Sequence, residues 1–287
     1  MIELKQKKIN KAFSLIELSV VILIIGILIS GVVSGTYIIA KSRITVAAKQ
    51  TENSPVSYIP NLAFWVETTS DNSFDDVDVS KGLIATWKDI NSQSNDKNNA
   101  TQATTANQPA YVTNVINGLP VLRFSGASTT MAVSGSIFDY QEYTMFIVER
   151  RTAANAGYMM LPSGFGIKVG YGSTSEMRVL YFSGANDWVP VTIASYSQPI
   201  PRIITAFGKP TYGTGHTTAN LAINGTLLFS DVPGRISYGY SPTYYIGASS
   251  YTGDIGEIIV FKRALKNSER ADVEEYLAKK WKITLGS

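Results

Sequence analysis

The sequence predicts a mainly β protein: a jelly-roll β-sandwich preceded by a long, apolar N-terminal α-helix and closed by a short amphipathic helix. Three observations carry this prediction. Residues 18–40 hold no charged side chain. From residue 61 onward, short runs rich in β-branched and aromatic residues recur between Gly, Asn, Ser and Pro clusters. Residues 265–283 then return to a helical period. A chain of 287 residues accommodates one large domain with an appendage, or two domains.

The helix comes first. Its uncharged stretch of 23 residues, Leu18–Ala40, covers about 34 Å at helical rise, enough for a bilayer core of about 30 Å. It is longer than a secretory h-region and lacks a distal small-residue cleavage site. Four lysines (Lys5, Lys7, Lys8, Lys11) precede it and Lys41, Arg43 and Lys49 follow, a bias toward a cytoplasmic N-terminus. Glu17 sits almost at the start of the run, and an ionised carboxylate in hydrocarbon needs a partner.

KAFSLIEL, Lys11 to Leu18, resembles the class III signal of type IV pilins and pseudopilins. The resemblance implies a leader, residues 1–12, cut by a prepilin peptidase between Ala12 and Phe13, with the new amine of Phe13 methylated. Glu17 becomes the fifth mature residue. At the membrane edge its carboxylate can pair with the Phe13 amine of a neighbouring subunit, each charge offsetting the other's desolvation. Other pilin-like subunits and the inner membrane are then the partners, with the remainder of the chain periplasmic or extracellular on a filament. Two departures stand out: Ala12 where the family usually has Gly, and no Pro in the apolar run before Pro55. The rival reading is an uncleaved signal anchor.

The helical pattern continues through Thr45–Asn53, so the helix is expected over 13–53, with 18–40 in the membrane. Gly31 and Gly35 form a GxxxG, which either lets helices approach closely in lipid or softens the helix locally. Residues 54–60, with Pro55 and Pro60, read as a hinge.

Beyond the hinge, LAFWVE, LIATWKD, LPVLRF, YTMFIVER, FGIKVG, MRVLYF, RIITAFG, ANLAINGTLLF, TYYIGA and DIGEIIVFKR are candidate strands of a sandwich over 61–285. Asn224-Gly225 is the clearest hairpin turn, because type I′ geometry needs positive φ at both central positions. In the tail, Val273, Tyr276, Leu277 and Trp281 share one helical face, with Asn267 or Ser268 as N-cap.

LAFWVE, the ATQ…QPAYV stretch, INGLPVLRFSG, the INGTLLF hairpin and the closing GDIGEIIVFKRALKNSERADVEEYLAKKWKI are similar to concanavalin A-like lectin/glucanase domains of the laminin G-like kind. The resemblance covers about residues 61–283 and implies two antiparallel sheets with ligand-accessible loops at one edge. This superfold hosts lectins, hydrolases and structural modules alike.

Composition limits the chemistry. The formal charge of +3 resides wholly in residues 1–11, four lysines against Glu3, so nothing points to nucleic acid. Cysteine is absent, and His216 is the one histidine; thiolate chemistry is excluded and the commonest general base occurs once. Glycosidases of this fold cluster carboxylates on one strand. Glu142 and Glu149 lie seven residues apart, on opposite faces and about 23 Å from each other at strand rise, so no enzyme is expected.

Asp75, Asp76 and Asp78 in SDNSFDDVDVS are oxygen donors of the kind calcium prefers, although the rhythm of a calcium loop is missing. Asp187 and Asp254 are lesser candidates, and no other cofactor is indicated. Sugar rings stack on aromatic faces while Asn and Asp bond the hydroxyls. On that basis Asn186, Asp187 and Trp188, with Tyr238 and Tyr240, are the candidate ligand-binding residues. Two functions follow: a filament subunit, of minor abundance given its large head, that adheres to a glycan or surface protein, or a minor pseudopilin serving assembly or cargo recognition without sugar binding.

Overall fold

The computed structural model describes residues 15–126, 128–138, 142–164, 166–173, 175–182, 186–192, 199–211, 216–235 and 241–286. The chain divides into two compact units after Ser42. In the first unit the helix α1 (Leu15–Glu52) begins, and every residue from Leu15 to Ser30 is exposed. Leu15, Ile16, Ile22, Leu23, Ile27 and Leu28 are all more than half exposed; a helix apolar on all sides is made to be covered by something other than water. Among the described residues, no helix is long and apolar enough to cross a membrane.

The second unit is a two-sheet sandwich. Its elements in chain order are β1 (Leu62–Glu67), α2 (Asp76–Lys81), β2 (Thr86–Trp87), β3 (Ala100–Thr101), β4 (Ala110–Ile116), β5 (Leu119–Ser125), β6 (Met131–Ser134), β7 (Tyr143–Arg151), β8 (Gly157–Pro162) and β9 (Gly166–Tyr171). There follow β10 (Glu176–Phe182), β11 (Asn186–Thr192), β12 (Arg202–Gly208), β13 (Pro210–Thr211), β14 (His216–Ile223), β15 (Thr226–Arg235), β16 (Thr243–Ala248), β17 (Thr252–Phe261) and α3 (Asn267–Trp281). Sheet A runs β13-β14-β12-β7-β17-β5-β4, with β1 also on β17 and β15 on β14; sheet B runs β11-β10-β9-β8-β16-β6-β3-β2. The recorded pairings are antiparallel.

The strand GEIIVF shows how the layers arise. Successive side chains of a strand point to opposite faces. Ile258 and Val260 enter the core between the sheets with Phe64, Phe124, Ile147 and Ile204, whereas Ile259 and Phe261 enter a second core with Trp65, Phe146 and Val148. Helix α3 closes that second core with Val273, Tyr276, Leu277 and Trp281, the face its period predicts. A near-continuous apolar strand is thus a strand buried on both sides. Trp281 lies so close over Gly256 that a Cβ there would stand 2.4 Å from its ring. The Asn224-Gly225 turn joins β14 to β15 with φ of 51° and 79°, the type I′ signature.

Two expectations change. The N-cap of α3 is Lys266, not Asn267 or Ser268, and its N–H donates to the Glu269 carboxylate at 2.8 Å, half of a capping box. Residues 54–60 are no hinge. Val56 and Ile59 are buried in the second core together with Ala47, Pro55–Tyr58 forms a 3₁₀ turn, and the unit boundary falls inside α1.

Candidate functional site

Of the N-terminal motif, Ala12 and Phe13 lie outside the described residues. Glu17 is exposed in the first turn of α1, where a carboxylate also complements the partial positive charge of a helix start. Gly31 and Gly35 lie within the continuous helical backbone.

The proposed ligand face lies at the end of sheet B. Strand β11 is its outermost strand, and Asn186, Asp187 and Trp188 pair with Phe182, Tyr181 and Leu180. Trp188's row extends through Leu180 to Lys168, whose ammonium stands 5.9 Å from the centroid of the Tyr158 ring; burial lowers the Lys168 pKa. The adjacent row carries Arg178, paired with Glu176 at 2.6 Å. Tyr238 and Tyr240 lie outside the described residues.

The aspartates serve the fold. Asp75 precedes α2 and pairs with Lys88 at 2.5 Å. Asp78 is buried and accepts hydrogen bonds from the Ala85 and Thr86 N–H groups at 3.0 and 3.4 Å. Asp76 is exposed at the start of α2. Among the described residues, no group of three or more His, Cys, Asp or Glu side chains is arranged to hold a metal ion. Asp254 is fully buried, held by Arg123 at 2.7 Å and Arg150 at 2.6 Å, so its oxygens are spent on arginines.

The most concentrated polar chemistry was not foreseen from the sequence. Lys280, fully buried on α3, donates to Glu67 Oε2 at 2.8 Å, Glu257 Oε2 at 2.9 Å and Thr51 Oγ1 at 2.7 Å. Glu257 also accepts from Trp65 Nε1, Tyr276 OH and Trp281 Nε1 at 2.8–2.9 Å. Glu67 accepts from Thr69, Ser70 and Ser73. Burial alone would raise the pKa of Glu67, but the Lys280 charge and these hydrogen bonds hold it down at about 2. Burial likewise opposes the charge on Lys280, and the two carboxylates outweigh it, raising its pKa. Tyr276 is pushed up by burial and by Glu257. Position 280 lies seven residues after Val273 on the buried helical face, and that period was the available signal.

Another buried carboxylate, Glu149, takes the Tyr171 hydroxyl at 2.5 Å and the Tyr251 hydroxyl at 3.1 Å. Burial raises its pKa against the pull of Tyr171 and Arg202. These glutamates are sealed inside, with no more than 1% of their surface exposed, and are not placed to meet a substrate.

Comparison with known proteins agrees at both ends of the chain. The prokaryotic N-terminal methylation motif matches residues 7–33. The sialidase of Trypanosoma rangeli in complex with sialic acid superposes with a TM-score of 0.53 at 12% identity, over 79% of this chain and 34% of that one. The binding domain of botulinum neurotoxin serotype D/C gives a TM-score of 0.52 at 12% identity, over 76% and 52%. The chain thus spans about a third to a half of the solved structures it matches, and at such identities the likeness is one of fold. No curated protein matches it.

The class defined is a prepilin-type N-terminal methylation motif followed by a two-sheet antiparallel β-sandwich. The motif implies processing by a prepilin peptidase, a membrane-anchored N-terminus before assembly, and assembly with other pilin subunits.

Proposed function

We propose that the chain is a minor type IV pilin-like or pseudopilin-like subunit whose N-terminal helix crosses the inner membrane before assembly and then packs into a filament. Its sandwich is a non-catalytic head that adheres to a glycan or a surface protein. The observation that carries the reading is the methylation motif at 7–33 ahead of a large sandwich. Sialidases are among the structural neighbours, so fold likeness alone does not separate binding from hydrolysis. The burial of Glu67, Glu149 and Glu257 favours binding. The test is a glycan array probed with the full chain in detergent micelles, beside Trp188→Ala: retained glycan capture that Trp188→Ala weakens supports adhesion through sheet B, and release of free sugar from the array would overturn the non-catalytic reading.

The second reading, assembly or cargo recognition without sugar binding, is favoured by a cleft of about 620 Å³ between the last turns of α1 and α3. Exposed Val46 and the buried Ser54 hydroxyl, which has no hydrogen-bond partner among the described residues, line it. Capture of other pilin subunits by the full chain, with a blank glycan array, would select this reading.

A further inference from the structure

We propose that sheet A carries a separate pocket for the carboxylate of an acidic sugar, formed where β12, β14 and β15 meet the first turn of α3. This rests on the reading of the sandwich as a binding head and supplies a ligand class and a place for it. The cavity measures about 430 Å³, within the range of small-ligand sites of about 300–1,000 Å³ and large enough for a sugar ring. Lys209, Lys266 and Arg270 line it with Phe207, Asn220 and Ser230, and among the described lining residues there is no Asp or Glu.

Each cation is placed for capture. Lys209 and Lys266 are exposed at the rim, where charge steers an approaching anion. Arg270 is held flat: its guanidinium carbon lies 3.8 Å from the centroid of the Phe207 ring, one terminal nitrogen donates to the Leu265 carbonyl at 2.8 Å, and the other to Asn267 Oδ1 at 2.7 Å. A guanidinium has five N–H donors, so these two neutral acceptors orient it and leave capacity for a bidentate carboxylate. Two carboxylates stand nearby: Glu269 is forked by Arg263 at 2.7 and 2.8 Å and accepts the Lys266 N–H at 2.8 Å, and Glu274, buried and taking the Thr205 hydroxyl at 2.5 Å, also attracts Arg270.

Asn220 forms the floor, buried and bonded through its amide to the Phe207 carbonyl at 3.1 Å. The cavity is therefore rich in donors and positive charge, with the Ser230 hydroxyl available to a polyol. The rest of the chain beyond residue 11 is electrically neutral, so this charge is local and suits a small anion better than a polyanion.

The experiment measures binding of D-glucuronate, D-glucose and inorganic phosphate to the full chain in detergent micelles by calorimetry. Glucuronate and glucose differ in the carboxylate. The expected result is glucuronate binding that exceeds glucose binding by about tenfold or more, the yield of one charge-assisted contact. Lys209→Glu and Lys266→Glu each lower it by about tenfold or more with an unchanged unfolding midpoint, and Lys81→Glu, at an exposed lysine of α2 outside the pocket lining, leaves it intact. Equal binding of glucose, or indifference to both lysine reversals, overturns the pocket. Phosphate binding as tight as glucuronate, with the same lysine dependence, overturns the sugar and leaves a bare anion site. Loss of glucuronate binding in Trp188→Ala alone moves the sugar to sheet B, while absence of glucuronate binding beside capture of other glycans on the array refutes this pocket and leaves the binding head standing.

Discussion

Replacing Lys280 with Met should destabilise the sandwich by about 3–5 kcal/mol, the usual cost of stranding a buried charge. The side chain keeps its length and loses the ammonium that Glu67 and Glu257 share, leaving two carboxylates inside a core where both partners are fully buried. Titration gives an independent magnitude. The Glu67 pKa falls from 4.5 to about 2, and at 1.36 kcal/mol per unit that is about 3 kcal/mol. A depressed carboxylate pKa contributes stability that is present above the unfolded value of 4.5 and is lost as pH falls toward 2. The native chain should therefore weaken across that window. In Lys280→Met burial loses its largest counterweight and only the hydrogen bonds from Thr69, Ser70 and Ser73 still oppose it, so the folded pKa of Glu67 moves upward and the loss of stability with falling pH should shrink. Denaturant titrations of the full chain in detergent, followed by tryptophan fluorescence, read both effects, because Trp65 and Trp281 donate to Glu257 in the same cluster. An unchanged midpoint at pH 7, or an acid profile identical to that of the native chain, would refute the argument.

Three further outcomes are expected. Gly225→Val places a β-branched residue at φ of 79° and should cost about 1–2 kcal/mol in the same denaturation assay, with Gly225→Asn, a residue that tolerates the left-handed region, costing less. Mass spectrometry of the mature chain should find an N-terminus at Phe13, and Glu17→Val should abolish filament incorporation in a shear-fraction assay while leaving membrane insertion intact. An intact Met1, or normal incorporation of Glu17→Val, would remove the pairing of Glu17 with a neighbouring amine.

Much of the architecture was legible because its signals are local. The β-branched runs, the Asn224-Gly225 turn and the Val273, Tyr276, Leu277, Trp281 stripe each rest on residues within one element. The short strands β3, β6 and β13 have too few residues for a period of two to register. The buried polar chemistry was less legible, because it joins residues distant in sequence. The aspartate run looked like a ligand cluster, yet Asp75 and Asp78 turn to Lys88 and to backbone N–H groups. Lys280 and Glu67 are 213 positions apart, and no window on the sequence brings them together. The pocket at the start of α3 likewise combines residues of three strands and a helix.

Placing Ala47 and Thr51 of α1 inside the sandwich's second core has a practical corollary for anyone who wishes to crystallise or screen this head in isolation. A truncation beginning at Pro60, where the prolines invite a cut, would strip away the plug formed by Ala47 and Val56 and one hydroxyl that solvates Lys280. Recombinant work should start upstream of Arg43 and tolerate a stub of helix, because the cleavable seam of this molecule runs through a helix and not through the loop that follows it.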